Sequence, residues 1–381
     1  MDAISGESPR RDGCVFLDAT PLADPCLTGI GRYTARIALA MRRRVGLRFF
    51  TANEEILPPA DLEWRHDQDL QGWARRLWRG ARRPIDQDLS TCVGIYPCLR
   101  PKERRFGTEV VVLHDFTPLV VPGTHTASTI EWFQNLFADT LLESDGALAV
   151  SHATKHDASW LCDFPQDRIR VCHSGPSLCV ERHLWAKVPE RRKHVALVVG
   201  TLEPRKNADF LLEWFTRSAA VADGSELWWV GRVGWLTTSR RYRRFLGSRA
   251  RRVRLLGTVS DGSLCRLYRE ASVSIYPSLY EGFGFPVVDS LRHGTPVLMG
   301  YHSSLREFEE LRGVHYFDPC DAATVDAAWS RFQDSPRDVE GPERLNSRFD
   351  WDRVAASLVD TGEGPFRALG MRDRRLAARV A

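Results

Sequence analysis

The sequence predicts an α/β protein of two doubly wound parallel-sheet domains that face a central cleft. The chain has 381 residues, which is too long for one ordinary hydrophobic core. Short apolar runs also alternate with longer amphipathic ones in two successive series. The predicted domains cover residues 13–178 and 190–345, and residues 346–381 are predicted to form a helical tail that packs back on the first domain.

The first series contains six short runs rich in Val, Leu and Ile, which are typical of buried parallel strands. They lie at residues 14–19, 47–51, 91–96, 110–114, 147–151 and 169–172. Residues 32–41 and 126–143 have helical patterns between them. Residues 176–192 are charged, contain two prolines and show no clear strand pattern, so they are predicted to link the domains.

The second series predicts strands at residues 194–200, 226–230, 253–256, 272–276, 296–299 and 314–317. The helices predicted between them lie at residues 211–220, 263–271 and 287–293. In sheets of this kind, ligands bind at the carboxyl ends of the strands. We therefore expect the site there and in the cleft between the domains.

The composition excludes several classes of protein. Hydrophobic residues make up 43% and charged residues 27%, as in soluble globular proteins. A net charge of +4 is too small for a dedicated nucleic-acid binder. The polar start predicts no signal peptide, and no apolar run of about 18 residues predicts a membrane span. The 9 cysteines form no Cys-x-x-Cys pair and predict reduced thiols in a cytoplasmic protein.

One candidate phosphate-binding segment follows the first predicted strand of the second series. Residues 199–207 place Gly200 and Thr201 at the end of that strand, and Arg205 and Lys206 in the turn before a helix. Free N–H groups at a helix start and two cations suit a pyrophosphate. The alternative is a solvated loop with ordinary surface charges.

A second candidate segment spans residues 277–289, between a predicted strand and a helix. Its glycines allow a close approach of the backbone to a ligand, and its two carboxylates suit the hydroxyls of a sugar and a ribose. The alternative is a glycine-rich turn with a buried acid that caps a helix. A third segment, residues 231–235, is expected beside the same site. The residues concerned are Gly231, Ser278, Glu281, Gly282, Phe283, Gly284 and Asp289.

These segments, in this order and spacing, resemble the retaining glycosyltransferases of family 4, which have the GT-B fold of two Rossmann-like domains. The resemblance extends from Thr28 to about Trp351 and includes residues 200–207, 231–235, 256–261, 277–289 and 293–297. The family signature is a Glu followed by seven residues and a second acid. It is specific when it comes after Pro-Ser and before Gly-x-Pro-Val. This chain departs from it at Asp289, where the family carries a second Glu.

The resemblance implies roles for the donor residues. Arg205 and Lys206 would bind the donor diphosphate, and Glu281 would contact the transferred sugar. Asp289 would contact the ribose, one methylene short of the family Glu, with a water bridge or a small helix shift in compensation. Such a bridge costs about 0–2 kcal/mol.

The resemblance also implies residues on the acceptor side. Gly29, Gly31 and Tyr33 occupy a Gly-x-Gly-x-Tyr turn after the first strand, for which a tight strand–helix turn is the alternative. His114 and Asp115 end another predicted strand, with His114 expected near the reacting sugar unless it is structural. Ser151 and Lys155 take the places of a family Ser and basic residue.

No metal or other cofactor is expected. Asp-x-Asp occurs at residues 67–69, 86–88 and 350–352, but none follows an apolar strand as a metal-binding pair would.

Three segments are basic, at residues 73–83, 240–254 and 372–379, and the first also carries Trp73 and Trp78. They predict either solvated helix faces or attraction to an anionic membrane at about 1 kcal/mol per cation.

Together these observations predict a cytoplasmic hexosyltransferase, acting at the inner face of the membrane in surface polysaccharide synthesis. The expected donor is a nucleotide-diphosphate sugar, with GDP-mannose favoured, and the expected acceptor is a glycan or lipid-linked glycan. The alternatives are a nucleotide-sugar epimerase or hydrolase of the same fold, and a non-catalytic nucleotide-sugar-binding scaffold. No nucleic acid is expected as a partner.

Overall fold

The computed structural model describes residues 14–65, 69–178, 193–218, 221, 224–238, 242, 251–335 and 338–359. These residues form an eight-stranded sheet from the first half of the chain and a six-stranded sheet from the second half. Helices cover the sheets, which confirms the predicted α/β fold with two sheets.

The first sheet has the strand order β4-β3-β2-β1-β5-β6-β7-β8. All six predicted strands are present. Two further strands form an antiparallel edge, so the prediction of a wholly parallel sheet was wrong there. The strands are β1 (Val15–Asp18), β2 (Leu47–Thr51), β3 (Glu54–Leu57), β4 (Ala81–Pro84), β5 (Val93–Tyr96), β6 (Thr108–Leu113), β7 (Gly146–Ala149) and β8 (Ile169–Val171).

The helices of the first half follow its predicted strands, but the helix predicted at residues 126–143 is interrupted. A π-helical turn, Phe133–Phe137, separates two short α-helices there. The helices are α1 (Gly29–Met41), α2 (Leu70–Trp78), α3 (Thr117–Val120), α4 (Ala127–Trp132), α5 (Ala138–Leu142) and α6 (His152–Cys162). Short 3-10 turns cover Thr20–Leu22, Pro122–Thr124 and Gln166–Arg168.

The second sheet is parallel throughout, with the order β11-β10-β9-β12-β13-β14. Its strands are β9 (Lys193–Val199), β10 (Glu226–Val230), β11 (Val253–Gly257), β12 (Ala271–Tyr276), β13 (Val297–Gly300) and β14 (Val314–Phe317). Its helices are α7 (Ala208–Arg217), α8 (Asp261–Glu270), α9 (Phe285–Arg292), α10 (Ala322–Asp334) and α11 (Pro342–Arg348). Two 3-10 segments, Pro204–Lys206 and Ser303–Phe308, precede α7 and β14. Every strand predicted in this half is present.

The strand order places a crevice in each sheet. Successive strands run outward in one direction from β9 through β10 and in the other through β12, so the order reverses between β9 and β12. The same reversal occurs between β1 and β5 in the first sheet. Ligands of doubly wound sheets bind at the carboxyl ends of such strands, which here are the loops after β9 and β12.

A last helix, α12 (Trp351–Val359), returns to the first half of the chain and packs against α1. Trp351 Nε1 donates to the Pro176 carbonyl at 2.8 Å, and the Trp351 ring meets the Tyr33 ring edge-on at 5.2 Å. Gly175 lies directly under the indole, because a Cβ there would come within 2.5 Å of it. The chain therefore crosses between its two halves twice, and the two crossings touch. Residues 360–381 lie outside the described part.

None of the described helices is long and apolar enough to span a membrane. The cysteines in the described part of the chain are free thiols.

Candidate active site

Three charged side chains meet at the carboxyl ends of β9 and β12. Lys206 Nζ lies 2.5 Å from Glu281 Oε1, and Arg205 Nη1 lies 3.0 Å from Glu281 Oε2. Arg205 Nη2 also donates to Glu203 at 2.9 Å. Lys206 Nζ donates to the Tyr276 hydroxyl at 2.9 Å. The structure thus brings Glu281 to Arg205 and Lys206, although Glu281 lies 75 residues after Lys206 in the sequence.

Local structure differs from the predicted helix start at Arg205 and Lys206. A 3-10 turn, Pro204–Lys206, comes first, and Asn207 then adopts a left-handed conformation with φ 53° before α7 begins. The Lys206 and Asn207 N–H groups close this turn on the Glu203 and Pro204 carbonyls. The expected row of free helix N–H donors is therefore partly used, and the two side chains carry most of the positive charge of this site.

Burial and charge together set the protonation of the cluster. Burial raises the pKa of Glu281, but Arg205 and Lys206 outweigh it and lower the pKa to about 2. Burial lowers the pKa of Lys206 below its usual value, and Glu281 offsets only part of that effect. Burial opposes the charge of Arg205 as well, but Glu281 and Asp115 raise its pKa. At neutral pH Glu281 is therefore a carboxylate held between two cations.

Some hydrogen-bond donors of the site remain unused. Arg205 Nε is buried and has no partner among the described residues. Within the same part of the chain, no hydrogen bond forms to the N–H groups of Gly282, Phe283 or Gly284. A buried donor without a partner costs about 1–3 kcal/mol, so an anionic ligand here would relieve an existing cost. The Phe283 side chain itself packs inward, against Phe308 and Phe349.

The glycines at the strand ends use their N–H groups within the backbone. The Gly200 N–H donates to the Val230 carbonyl, and the Gly231 N–H donates to the Gly257 carbonyl. Neither N–H is therefore free for phosphate, although both glycines border the cluster. Thr201 is half-buried beside them, and Ser278 is fully buried, where its hydroxyl helps to lower the pKa of Glu281.

The glycine-rich loop after β12 touches the first half of the chain. A Cβ on Gly282 would lie 1.7 Å from the His114 carbonyl oxygen, so only glycine fits there. The Thr154 hydroxyl lies between the two backbones, 3.1 Å from the His114 carbonyl oxygen and 3.2 Å from that of Gly282. The cleft is consequently closed at this point, with His114 beside the Glu281 loop.

Asp289 does not join the cluster. It is buried, and its carboxylate accepts hydrogen bonds from the Ser177 N–H, the Ser177 hydroxyl and the Leu178 N–H. Burial raises its pKa, and these hydrogen bonds oppose the rise. Arg36 of α1 donates to the Ser177 carbonyl. In this structure the Asp289 carboxylate is therefore occupied by Ser177 and Leu178 of the first crossing and lies apart from Glu281. The ribose contact stays a prediction.

His114 and Asp115 lie at the carboxyl end of β6 and line a cavity in the cleft. His114 Nε2 donates to the Pro97 carbonyl at 2.6 Å, and burial lowers its pKa, so the ring is neutral. Asp115 Oδ1 accepts from the Thr117 N–H and hydroxyl. Both residues are placed as predicted, and their catalytic role stays a prediction.

The other acceptor-side residues are largely structural. Tyr33 is fully buried against His114, at 4.8 Å between ring centres. Ser151 is fully buried and caps α6. Neither side chain reaches the cleft surface, and their assignment to the acceptor side stays a prediction. Gly31 packs under Leu27, while Gly29 faces Phe285 across the cleft. Lys155 donates to the Ile169 carbonyl.

Further contacts hold the two halves together around the site. Arg32 forms a two-point ion pair with Asp261, at 2.5 and 3.0 Å. Tyr280 donates to Asp157, and His173 lies 2.6 Å from Glu307. The structure therefore has a closed cleft.

The sequence pattern did not single out Glu203 or Tyr276 as site residues, and it placed Trp235 beside the site only as part of residues 231–235. Glu203 and Tyr276 complete the cluster, and Trp235 donates from the second half to the Thr124 carbonyl at 2.8 Å. Glu203 lies two residues before Arg205, so its charge was a usable signal. The partners of Tyr276 and Trp235 depend on the folded arrangement.

No group of three or more His, Cys, Asp or Glu that could hold a metal ion occurs among the described residues. Asp67 lies outside the described part. Ser90 and Asp88 form a local turn instead of a ligand set. Asp350 Oδ1 accepts a hydrogen bond from the Asp352 N–H at the start of α12.

The basic segment at residues 73–83 divides into helix α2 and strand β4, which corrects its reading as one helical face. Trp73 is buried in the core, and Arg82 lies 4.6 Å over the half-buried Trp78 ring. Residues 240–241, 243–250 and 372–379 lie outside the described part.

The structure has two doubly wound sheets around one cleft, and an Arg-Lys-Glu cluster lies where the strand order of the second sheet reverses. This combination defines a class of enzyme. These are the features of glycosyltransferases with the GT-B fold, which take a sugar from a nucleotide carrier.

Comparison with known proteins agrees. Residues 193–329 match the family model described as Glycosyl transferases group 1. The chain is 26% identical to the O-antigen chain mannosyltransferase B of Escherichia coli, over 91% of this chain and 98% of that protein. The chain is a glycosyltransferase, and its second half carries a group 1 domain. The epimerase, hydrolase and scaffold alternatives lack comparable support.

Solved structures share the fold at low sequence identity. Sucrose-phosphate synthase from Thermosynechococcus elongatus superposes with a TM-score of 0.64 at 16% identity, covering 96% of this chain and 100% of that one. Anabaena HepE in complex with UDP and glucose gives 0.63 at 15% identity, covering 91% and 98%. Both support the two-domain GT-B architecture.

Proposed function

We propose that this glycosyltransferase moves a mannosyl residue, with retention of configuration, from GDP-mannose to a glycan or lipid-linked glycan of a surface polysaccharide. The similarity to an O-antigen mannosyltransferase over nearly the whole chain supports the sugar and the acceptor class. The family 4 signature at Glu281 and Asp289 supports retention. The UDP bound in the HepE structure makes UDP-sugars the competing donors.

The observation that carries the proposal is the Arg205–Lys206–Glu281 cluster. When the bond between the sugar and the diphosphate breaks, negative charge develops on the departing oxygen. Arg205 and Lys206, held in place by carboxylates and buried from water, would offset that charge without reorganisation. Glu281 is drawn to both cations and is therefore a poor nucleophile, which favours a route without a covalent sugar–enzyme intermediate.

In the proposed step, the acceptor hydroxyl oxygen bonds to the sugar carbon as the diphosphate leaves from the same face. The proton of that hydroxyl passes to a leaving-group oxygen. His114 would orient the reacting sugar from the first half of the chain. Closure of the cleft excludes water and so suppresses hydrolysis of the donor.

A thermal-shift screen tests the donor. Purified protein is heated with GDP-, UDP-, ADP- and dTDP-sugars in the absence of metal. A ligand at about 100 times its dissociation constant stabilises the protein by about 2.7 kcal/mol. We expect GDP-mannose to raise the melting temperature, and stabilisation by a UDP-sugar alone would replace the donor assignment.

Kinetics then test the phosphate role. Arg205→Ala removes charge-assisted bonds of about 1.5–3 kcal/mol each, so kcat/KM for the donor should fall at least about 10-fold. Arg217→Ala, at an exposed ion pair on α7, is the matched control. Unchanged kinetics for Arg205→Ala would remove the basis of the proposal.

We also propose contact with an anionic membrane surface. Arg75, Arg76, Arg79 and Arg83 are exposed, which supports electrostatic attraction. Trp73 is buried and does not take part. Sedimentation with anionic liposomes at low salt should carry the protein down, and the absence of binding would exclude this contact.

A further inference from the structure

A cavity of about 260 Å³ lies in the cleft between the two halves of the chain. One wall comes from α4 and the π-helical turn, with Trp132, Phe133 and Phe137. Trp235, which follows β10 in the second half, also lines the cavity. The inner end is formed by His114, Asp115 and Arg205. The cavity thus opens directly onto the cluster that we assign to the donor. We call it the aromatic cavity.

The aromatic cavity has two partly exposed tryptophans, and one of them is held in place by its neighbours. Trp132 is 49% exposed and Trp235 is 36% exposed. The Trp235 ring is held by its hydrogen bond to the Thr124 carbonyl, and it stacks on His125 at 5.6 Å between ring centres. An indole fixed in this way at the edge of a cavity offers a flat apolar face to a ligand at little entropic cost.

The inner end carries hydrogen-bonding atoms without partners. His114 uses Nε2 for the Pro97 carbonyl, so Nδ1 of the neutral ring is left as an acceptor. Asp115 uses Oδ1 for Thr117, which leaves Oδ2. His125 Nε2 is buried and has no partner among the described residues. These atoms favour a ligand that brings hydroxyl groups.

The charge of the lining argues against a second anionic ligand beside the donor diphosphate. Arg205 is the cation among the described lining residues, and Glu281 and Glu203 already pair with it. Asp115 adds a negative charge to the same wall. Burial and the nearby Arg205 lower the pKa of His125, so that ring is neutral at physiological pH. Because the proposed function assigns Arg205 to the donor diphosphate, a second phosphate placed against this wall would meet no further cation among the described lining residues.

We propose that the aromatic cavity binds the neutral terminal sugar ring of the acceptor glycan. Its apolar face lies on Trp235, and its hydroxyl groups point to His114 and Asp115. This inference rests on the proposed function and adds the acceptor class: a neutral saccharide end, and not a lipid phosphate. Trp235 belongs to the donor-binding half, whereas His114 and Asp115 belong to the first half. The acceptor ring can therefore contact all three only when the two halves come together.

Saturation-transfer NMR tests binding with methyl α-D-mannopyranoside and, as the anionic probe, octyl phosphate. Wild type should bind the mannoside, and octyl phosphate should not displace it. Trp235→Ala and Trp132→Ala should each weaken binding at least about 10-fold, as expected for a central aromatic contact. Trp160→Ala is the matched control, because Trp160 is 74% exposed on α6 and lies outside the cavity. Displacement by octyl phosphate, or wild-type binding in both cavity variants, would overturn the inference.

Two further measurements separate the possible causes of failure. Trp235→Phe keeps a ring but loses the hydrogen bond to Thr124, so it should retain most of the mannoside binding if the ring face is what matters. Stabilisation by the nucleoside diphosphate is measured on the same samples. If the diphosphate stabilises wild type but the mannoside does not bind, the acceptor inference fails alone. If neither binds, the proposed function fails with it.

Discussion

Replacement of Glu281 by glutamine removes the carboxylate that Arg205 and Lys206 share, while the size of the side chain is kept. The pKa of Glu281 is lowered from 4.5 to about 2, which corresponds to roughly 3 kcal/mol of stability at neutral pH. That contribution is present above pH 4.5 and is lost as the pH falls through about 2. Two buried cations left without this partner would cost a similar amount, about 3–5 kcal/mol.

We therefore expect Glu281→Gln to unfold at a lower temperature than wild type. For a domain of this size about 1 kcal/mol corresponds to roughly 2–4 °C, so the predicted decrease is about 6–12 °C. Differential scanning calorimetry measures it. Glu213→Gln is the matched control, because Glu213 pairs with Arg217 on an exposed helix face and such pairs contribute at most about 0.5 kcal/mol.

The same variant separates two roles of Glu281. GDP should bind the variant at least as tightly as wild type, because the carboxylate that competes for Arg205 and Lys206 is gone. GDP-mannose should lose affinity relative to GDP if Glu281 also contacts the sugar. An unchanged melting temperature together with weaker GDP binding would refute the reasoning, since it would mean that Glu281 does not balance the two cations.

Three further predictions follow from the site. Asp289→Asn removes an acceptor of the Ser177 hydrogen bonds and should lower stability by about 1–3 kcal/mol with donor affinity unchanged; a 10-fold loss of affinity at constant melting temperature would show a ribose contact instead. Burial lowers the pKa of Lys206, so donor kcat/KM should decline with rising pH before the usual lysine value of 10.5 is reached; Lys206→Arg should shift this decline upward, and identical pH profiles would exclude Lys206 as its cause. Turnover should be unchanged in EDTA; loss of activity that a divalent cation restores would establish a metal requirement.

The strands of the second half were predictable because each is an almost continuous apolar run, as parallel strands buried on both faces require. Strands β3 and β4 were not, because Glu54, Glu55, Arg82 and Arg83 make them look like surface loops. Strand β4 lies at the sheet edge, where charged residues are tolerated and prevent pairing with other chains. Strand β3 lies next to it, and its Glu55 pairs with Arg48 and Arg83.

The residues of the site were likewise predictable only in part. Arg205, Lys206 and Glu281 were predicted together because each follows a strand at the reversal of the strand order. The partner of Asp289 was not predictable, since Ser177 lies 112 residues away and belongs to a segment without a pattern. The aromatic cavity was also missed, because its lining comes from different halves of the chain. Trp235 lies in a segment that was expected beside the site, but Trp132 lies in no motif.

The two crossings between the halves restrict how the cleft can open. Trp351 is hydrogen-bonded to Pro176 and lies on Gly175, so the described parts of the two connections meet in one small region. We therefore expect the two halves of the chain to rotate against each other about this region in a hinge motion. In such a motion the displacement of one half relative to the other grows with distance from the hinge. A small rotation near Pro176 would therefore give a larger separation at the far edge of the cleft. Because the second crossing is attached beside the first, we expect it to restrain twisting of one half against the other, so that the cleft closes in the same register each time.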